Sequence, residues 1–276
     1  MFSVRFWGVR GSIPVPGPST VKYGGNTPCI EIRAGKEILI IDGGSGLRGL
    51  GNALLPEMPL VVRMFFTHFH WDHIQGFPFF TPAFVKGNRL DLFGSNKLTG
   101  TLAETLAGQM NYPNFPVSLN DMAAQIKFHD LREGEAVVCG DAVISNTQLN
   151  HPGGVFAYRV DFGGHAVVVA TDTEHYSCLN AKLVELADGA DLLVYDAMYT
   201  PEEYAGDEGL SPKTGWGHST WEEGVKIAQA ARVRKLVLYH HDPDHDDAAI
   251  DAMEAAAQRT FSNTVAAREG IKLEIA

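Results

Sequence analysis

Residues 65–73, Phe65-Phe66-Thr67-His68-Phe69-His70-Trp71-Asp72-His73, restrict this chain more than any other stretch. The apolar run 61–66 reads as a strand buried on both faces, and it is followed by four potential metal ligands within six residues. His68 and His70 are two apart, so their side chains share a direction while the backbone stays extended. Asp72 and His73 fall in the turn that starts the next helix. Three imidazoles and a carboxylate at this density suit a divalent cation of borderline softness.

The same arrangement recurs at three other strand ends. Leu149-Asn150-His151 closes one strand, and Val167-Val168-Val169-Ala170-Thr171-Asp172 is an apolar strand ending in a carboxylate. Leu236-Val237-Leu238-Tyr239-His240-His241 is an apolar strand ending in histidine. Neighbouring side chains on an extended strand point oppositely, so only one of His240 and His241 should bind. Ligand-type residues thus stand at the carboxyl ends of four strands, where α/β folds place their sites.

The rest of the chain reads as many short elements. Runs 29–34 and 37–41 flank a Gly35-Lys36 turn, and 155–161 and 165–170 flank Gly163-Gly164, two hairpin patterns. Residues 125–128 and 142–149 read as further strands, and 98–110 as a helix. The final third alternates helix 179–186, strand 191–195, helix 220–231 and strand 235–239. Asp244, Asp246 and Asp247 then open a helix with Ile250, Met253, Ala257 and Phe261 at helical spacing, before a closing strand at 271–275. Hairpins plus alternation imply mixed sheets covered by helices. With no linker or repeat in view, the expectation is one domain over residues 1–276.

Composition removes several classes. A net charge of −11 repels phosphate backbones and disfavours a long nucleic acid as partner. Cys29, Cys139 and Cys178 are odd in number and form no CxxC pair, so a disulfide framework is not expected and a cytoplasmic location is. They read as small core residues. The first seven residues alternate like a strand rather than a signal peptide, and no apolar run approaches the roughly 20 residues of a membrane span.

The set His68-x-His70-x-Asp72-His73, His151, Asp172 and His240 resembles the ligand signature of the metallo-β-lactamase-fold hydrolases. That resemblance implies an α/β fold, a four-layer αββα sandwich with two mixed sheets and a metal site at one edge. It implies two divalent metal ions, zinc first, with manganese or iron as alternatives. His68, His70 and His151 would hold one, Asp72, His73 and His240 the second, and Asp172 would bridge them. Related sequences favour His240 as the ligand, with His241 supporting it. Ile41-Asp42-Gly43-Gly44 resembles the turn whose Asp42 supports the ligands.

Within the superfamily the chain looks most like the ribonuclease Z-like and cyclic nucleotide phosphodiesterase branch. Gly217-His218-Ser219-Thr220 opens a helix, and residues 193–199 contain Asp196, the carboxylate expected to pair with His218. The long tRNA-gripping arm of ribonuclease Z is lacking, since only twenty residues separate His151 from Asp172. The expected activity is hydrolysis of a small phosphodiester such as a cyclic nucleotide by a metal-bridging hydroxide. Asp72, His218 and Asp196 would be the catalytic residues, His218 acting as the acid. Lactone, thioester or β-lactam hydrolysis is the alternative; RNA processing or a non-catalytic sensor comes after it. A homodimer is compatible with this reading.

Lys213 is the first candidate for a phosphate contact, with Arg10 and Arg48 as alternatives. Trp71, Tyr112, Tyr199 and Trp216 read as wall or core packing with stacking on a base as the other use. Glu174 and His175 are placed to support the ligands. Residues 199–217 carry no periodic pattern and read as a lid or an ordinary loop. His129, His165 and His245 receive no chemistry.

Overall fold

The protein is described by a computed structural model over residues 1–95, 100–209 and 211–276. Strands β1 (Phe2–Gly8), β2 (Cys29–Ala34), β3 (Glu37–Ile41), β4 (Val61–Phe65), β5 (Arg89–Ser95) and β6 (Gln125–Leu131) form one sheet, with β14 (Lys272–Glu274) beyond β1. The second sheet holds β7 (Val137–Cys139), β8 (Ala142–Leu149), β9 (Val155–Phe162), β10 (His165–Ala170), β11 (Leu192–Asp196), β12 (Lys235–Tyr239) and β13 (Thr264–Ala266), in sequence order. Each sheet is antiparallel in one half and parallel in the other. The parallel halves run β3 to β6 and β10 to β13.

Side-chain alternation along these strands builds the layers. In β3, Leu39 and Ile41 enter the core between the sheets, whereas Ile38 and Ile40 face outward. In β10, Val167 and Val169 join that central core while Ala166, Val168 and Ala170 face the other way. The same division holds for β11 and β12. The outer face of the first sheet is covered by α1 (Gly46–Leu54) and α3 (Leu102–Gln109). The outer face of the second is covered by α4 (Ala181–Ala187), α6 (Trp221–Ala230) and α7 (Asp247–Thr260). Helix, sheet, sheet and helix are the four expected layers.

The helix expected over 98–110 is observed from Leu102, capped by Thr101 in a reciprocal box with Glu104; its expected start, Leu98 and Thr99, lies outside the described residues. Phe261 falls just past α7 rather than within it. Cys29 and Cys139 are buried as expected, but Cys178 is exposed, on an irregular loop rather than in a packed layer. Among the described residues no helix is long and apolar enough to cross a membrane.

The turn after β3 packs against the short helix α2 (Trp71–Ile74) with almost no tolerance. A Cβ added at Gly76 would lie 1.9 Å from the Gly44 carbonyl oxygen, a backbone atom that cannot swing aside. Gly76→Ala should therefore destabilise the protein by about 1–3 kcal/mol through overpacking. Urea denaturation checks this, and an unchanged midpoint would contradict it.

Candidate metal centre

Strand ends bring the ligand-type residues to one edge. β4 leads into His68, β8 into His151, β10 into Asp172 and β12 into His240. Three of the supporting turns are left-handed at non-glycine residues: Asp42, Asp172 and His240 have φ of 62°, 54° and 61°. Such conformations cost on the order of 1–3 kcal/mol each and persist where the surroundings over-determine them. A fourth, Ser12 at φ 63°, donates its backbone N–H to Asp72 Oδ2 at 2.8 Å.

Two donor groups result. His68, His70 and His151 each offer one ligand atom within 4.8 Å of the others, and so do Asp72, His73, Asp172 and His240. Asp172 lies between them: its carboxylate oxygens are 3.2 Å from His73 Nε2, 3.3 Å from His240 Nε2 and 3.7 Å from His68 Nε2. Asp72 Oδ2 is 3.2 Å from both His73 Nε2 and His240 Nε2. The second group is fully buried, whereas His70 and His151 form the open side.

Three of the ring nitrogens facing away are held from behind. His68 Nδ1 meets Thr67 Oγ1 at 3.1 Å, His73 Nδ1 meets Asp42 Oδ2 at 2.8 Å, and His151 Nδ1 meets the Gly217 carbonyl at 2.7 Å. Such partners fix the tautomer and leave Nε2 for a cation. His68 Nε2 and His73 Nε2 are buried with no hydrogen bond of their own among the described residues. Buried polar atoms without partners are rare, and here they converge on two carboxylates. The residues present therefore fit a divalent metal centre.

Asp42 stands behind His73, and Thr67 donates to it from both N–H and Oγ at 2.8 and 2.9 Å. Of the adjacent pair, His240 joins the centre. His241 turns away to the Ala267 carbonyl at 2.9 Å, and burial lowers its pKa to about 3. It supports the His240 turn through its backbone: its N–H donates to Val9 and its carbonyl accepts from Gly11.

His218 Nδ1 meets Asp196 Oδ2 at 3.0 Å, and its ring stacks on His240 at 5.0 Å. Burial opposes its charge, but Asp196, with Asp172 and Asp72, raises its pKa to about 9. Lys213 lies over the Trp216 ring at 4.3 Å and the Tyr199 ring at 5.7 Å, and Tyr199 stands 6.1 Å from His218. His129 stacks on Phe93, while His165 and His245 pair with Asp191 and Glu203, all away from the centre.

Several expectations require correction. Arg10 is buried, with Nε on the Gly24 carbonyl, Nη1 on the Asp242 and His245 carbonyls and Nη2 closed off from solvent, so it is not a phosphate contact. Arg48 lies on α1, in a surface groove with Trp7 and Glu269. Trp71, Tyr112 and Trp216 are 80%, 92% and 57% exposed and are not core; Tyr199 is. Residues 199–217, of which Leu210 lies outside the described residues, contain α5 (Pro201–Ala205) with a capping box.

Sequence reasoning missed Gly11 and Ser12 altogether. A Cβ at Gly11 would be 2.5 Å from His240 Cε1, so the backbone itself walls the ligand. The run Arg10-Gly11-Ser12 contains no ligand pattern that could have announced this.

A four-layer sandwich with a His/Asp cluster fitted to divalent metal at its edge, together with the family match over most of the chain, marks a metal-dependent hydrolase. The chain belongs to the beta-lactamase superfamily domain family, matched over residues 38–241. It is similar to ribonuclease Z of Synechococcus sp. (strain CC9311), 23% identical over 99% of this chain and 98% of that protein. Among solved structures it is similar to the metallo-beta-lactamase fold protein YhfI of Bacillus subtilis (TM-score 0.73, 19% identity, 99% and 98% of the two chains). It is also similar to a diphosphatase of the PhnP family (TM-score 0.72, 20% identity, 100% and 98%).

Burial disfavours the charge on His73, but Asp172, Asp72 and Asp42 outweigh it and hold its pKa well above the ordinary value. Without ions, the Asp72 and Asp172 carboxylates facing Nε2 therefore favour a proton there. Ligation must displace that proton, so metal affinity should rise with pH and binding should release protons. Calorimetric zinc titrations in buffers of different ionisation enthalpy measure the release; none at pH 7 would contradict this.

Proposed function

We propose that this hydrolase cleaves small phosphodiesters, cyclic nucleotides being the first class to test. The observation that carries the reading is the His218–Asp196 pair, 3.0 Å apart, beside the candidate metal centre. Opening of a lactam or lactone has less need of a separate acid. Cleavage of a phosphodiester expels an alkoxide that must gain a proton. The names of the two relatives, a ribonuclease and a diphosphatase, are those of enzymes of phosphate chemistry and support the same class.

In this reading His68, His70 and His151 hold one divalent ion, zinc first by donor chemistry, and Asp72, His73 and His240 a second, with Asp172 shared. The ions, when bound, supply Lewis acidity towards phosphoryl oxygens and activation of water. Asp196 accepts from His218 Nδ1–H and so orients the ring. Nε2, which makes no hydrogen bond among the described residues, then delivers its proton to the departing oxygen. Asp72 acts as a ligand, aimed by the Ser12 amide.

Lys213 is the substrate cation in this reading. Its ammonium rests on two aromatic faces rather than on a carboxylate among the described residues, so its charge stays available to an anion. A small substrate is favoured over a long RNA by the net charge of −11 and by the compact β9–β10 hairpin between His151 and Asp172.

His218→Ala should lower kcat on a chromogenic phosphodiester by about 10²–10⁴-fold, the range for a lost general acid, while two metal equivalents remain bound. Loss of metal would instead make His218 a ligand. Lys213→Ala should raise KM by roughly 10–100-fold, matching a lost charged hydrogen bond, with kcat little changed. Both should be run in a panel with 2′,3′- and 3′,5′-cyclic nucleotides, a structured RNA, a lactone and a β-lactam. Activity confined to the lactone or lactam would refute the phosphodiester reading.

A further inference from the structure

Glu174 is a buried carboxylate two residues beyond Asp172, and it makes no ion pair among the described residues. Its partners are all neutral donors. Oε1 accepts from Tyr204 Oη at 2.9 Å and from the Gly215 N–H at 2.5 Å, and Oε2 accepts from the Gly217 N–H at 2.9 Å. Burying an unpaired charge is expensive, so three donors spent on one carboxylate mark a position the fold defends.

What those hydrogen bonds hold is one peptide unit from the metal centre. The carbonyl of Gly217 accepts from His151 Nδ1 at 2.7 Å. His151 Nε2 in turn lies 3.1 Å from His70 Nδ1, on the open side of the site. Gly217 has φ +90°, and a Cβ there would lie 2.5 Å from His151 Nδ1, so only glycine lets the carbonyl come so near. Glu174 also reaches His151 from the other side, because its own N–H donates to the Asn150 carbonyl at 2.8 Å. One residue therefore grips both segments that set the His151 ring.

We propose that Glu174 is a positioning residue for the His68/His70/His151 metal site. By holding the Gly217 N–H it orients the 216–218 backbone, keeps the Gly217 carbonyl on His151 Nδ1, and thereby keeps His151 Nε2 as the ligating nitrogen. The fully buried Asp72/His73/Asp172/His240 group does not depend on this contact. The inference rests on the metal-centre assignment and not on the phosphodiester reading, and metal content can be measured without any substrate.

The test is a zinc titration by chelator competition on the full-length protein. Glu174→Gln keeps the shape, but an amide has one acceptor oxygen, and its NH₂ faces a backbone donor. It should weaken one of the two zinc equivalents by roughly 10–100-fold, the usual effect of removing a group behind a ligand, and leave the other within a few-fold. His151→Ala should lose that same equivalent, and the double variant should bind no worse than His151→Ala alone, because both act on one contact. Tyr204→Phe, which frees only the outer donor, should leave both affinities unchanged. Imidazole ¹⁵N spectra should show the His151 Nδ1–H signal of the zinc-loaded protein lost in Glu174→Gln.

Unchanged zinc binding in Glu174→Gln would overturn the proposal, as would equal weakening of both equivalents or additive losses in the double variant. If Glu174→Gln fails to fold, Glu174→Asp, with the charge retained and the reach shortened by one methylene, must show the same selective loss or the proposal falls. His151→Ala retaining both zinc equivalents would instead refute the metal-centre assignment itself.

Discussion

Five imidazoles and two carboxylates crowd one largely dry edge of this protein, and the remaining structure is arranged around the cost of keeping them there. Isolated charges could not be buried at such spacing, and like charges would repel. The compensation is alternation. Asp72 and Asp172 each lie among imidazoles, and further groups stand behind the rings: Thr67 behind His68, Asp42 behind His73, the Gly217 carbonyl behind His151, Asp196 behind His218. Four rings are held by the same nitrogen, Nδ1, from four different chain segments. The inward nitrogens are thereby selected by outward hydrogen bonds, before any ion arrives.

Backbone geometry serves the same end. Asp42, Asp172 and His240 each follow an apolar strand and turn through the left-handed region, which takes the chain abruptly out of the sheet. An extended continuation would alternate side chains between the two faces and scatter the ligands. The strain is contained by hydrogen bonds across the turns, from Asp42 N–H to Phe65, from His241 N–H to Val9 and from Thr173 N–H to Asp196. The four parallel strands in each sheet bring these turns to one edge. The βαβ architecture and the metal centre are consequences of one arrangement rather than two separate features.

This division explains what could be read in the sequence. Strands with ligands at their carboxyl ends were legible, because apolar runs and strand-end histidines are local patterns. Elements whose pattern is diluted were not. The helix α1 contains Gly46, Gly49 and Gly51, each unfavourable to helix by propensity, and forms because Leu47, Leu50 and Leu54 pack beneath the first sheet. In the site, Asp42, Asp196 and His218 were visible through family resemblance. Ser12 acts through its backbone N–H at a sequence separation of 60 from Asp72, and Gly11 through its missing side chain beside His240, where side-chain chemistry leaves no trace. Arg10 was misjudged for a related reason: a guanidinium signals phosphate binding only if it reaches solvent, and here the whole group is buried, with Nε and Nη1 on three carbonyls.

Charge links the metal centre to whatever it binds. The chain carries −11 overall, and Asp72 and Asp172 are held ionised well below the usual carboxylate range by surrounding histidines despite their burial. An anion approaching the ion-free edge would meet like charge, eased by the raised proton affinity of His73 and His218 and by Lys213 on its aromatic rest. Two divalent ions would bring four positive charges against the two carboxylates and reverse the local sign. Anion binding and metal binding at this edge are therefore coupled: each must strengthen the other by the same factor. An acidic protein can then recognise an anionic substrate without a broad basic surface, and the attraction is confined to the edge where the chemistry occurs.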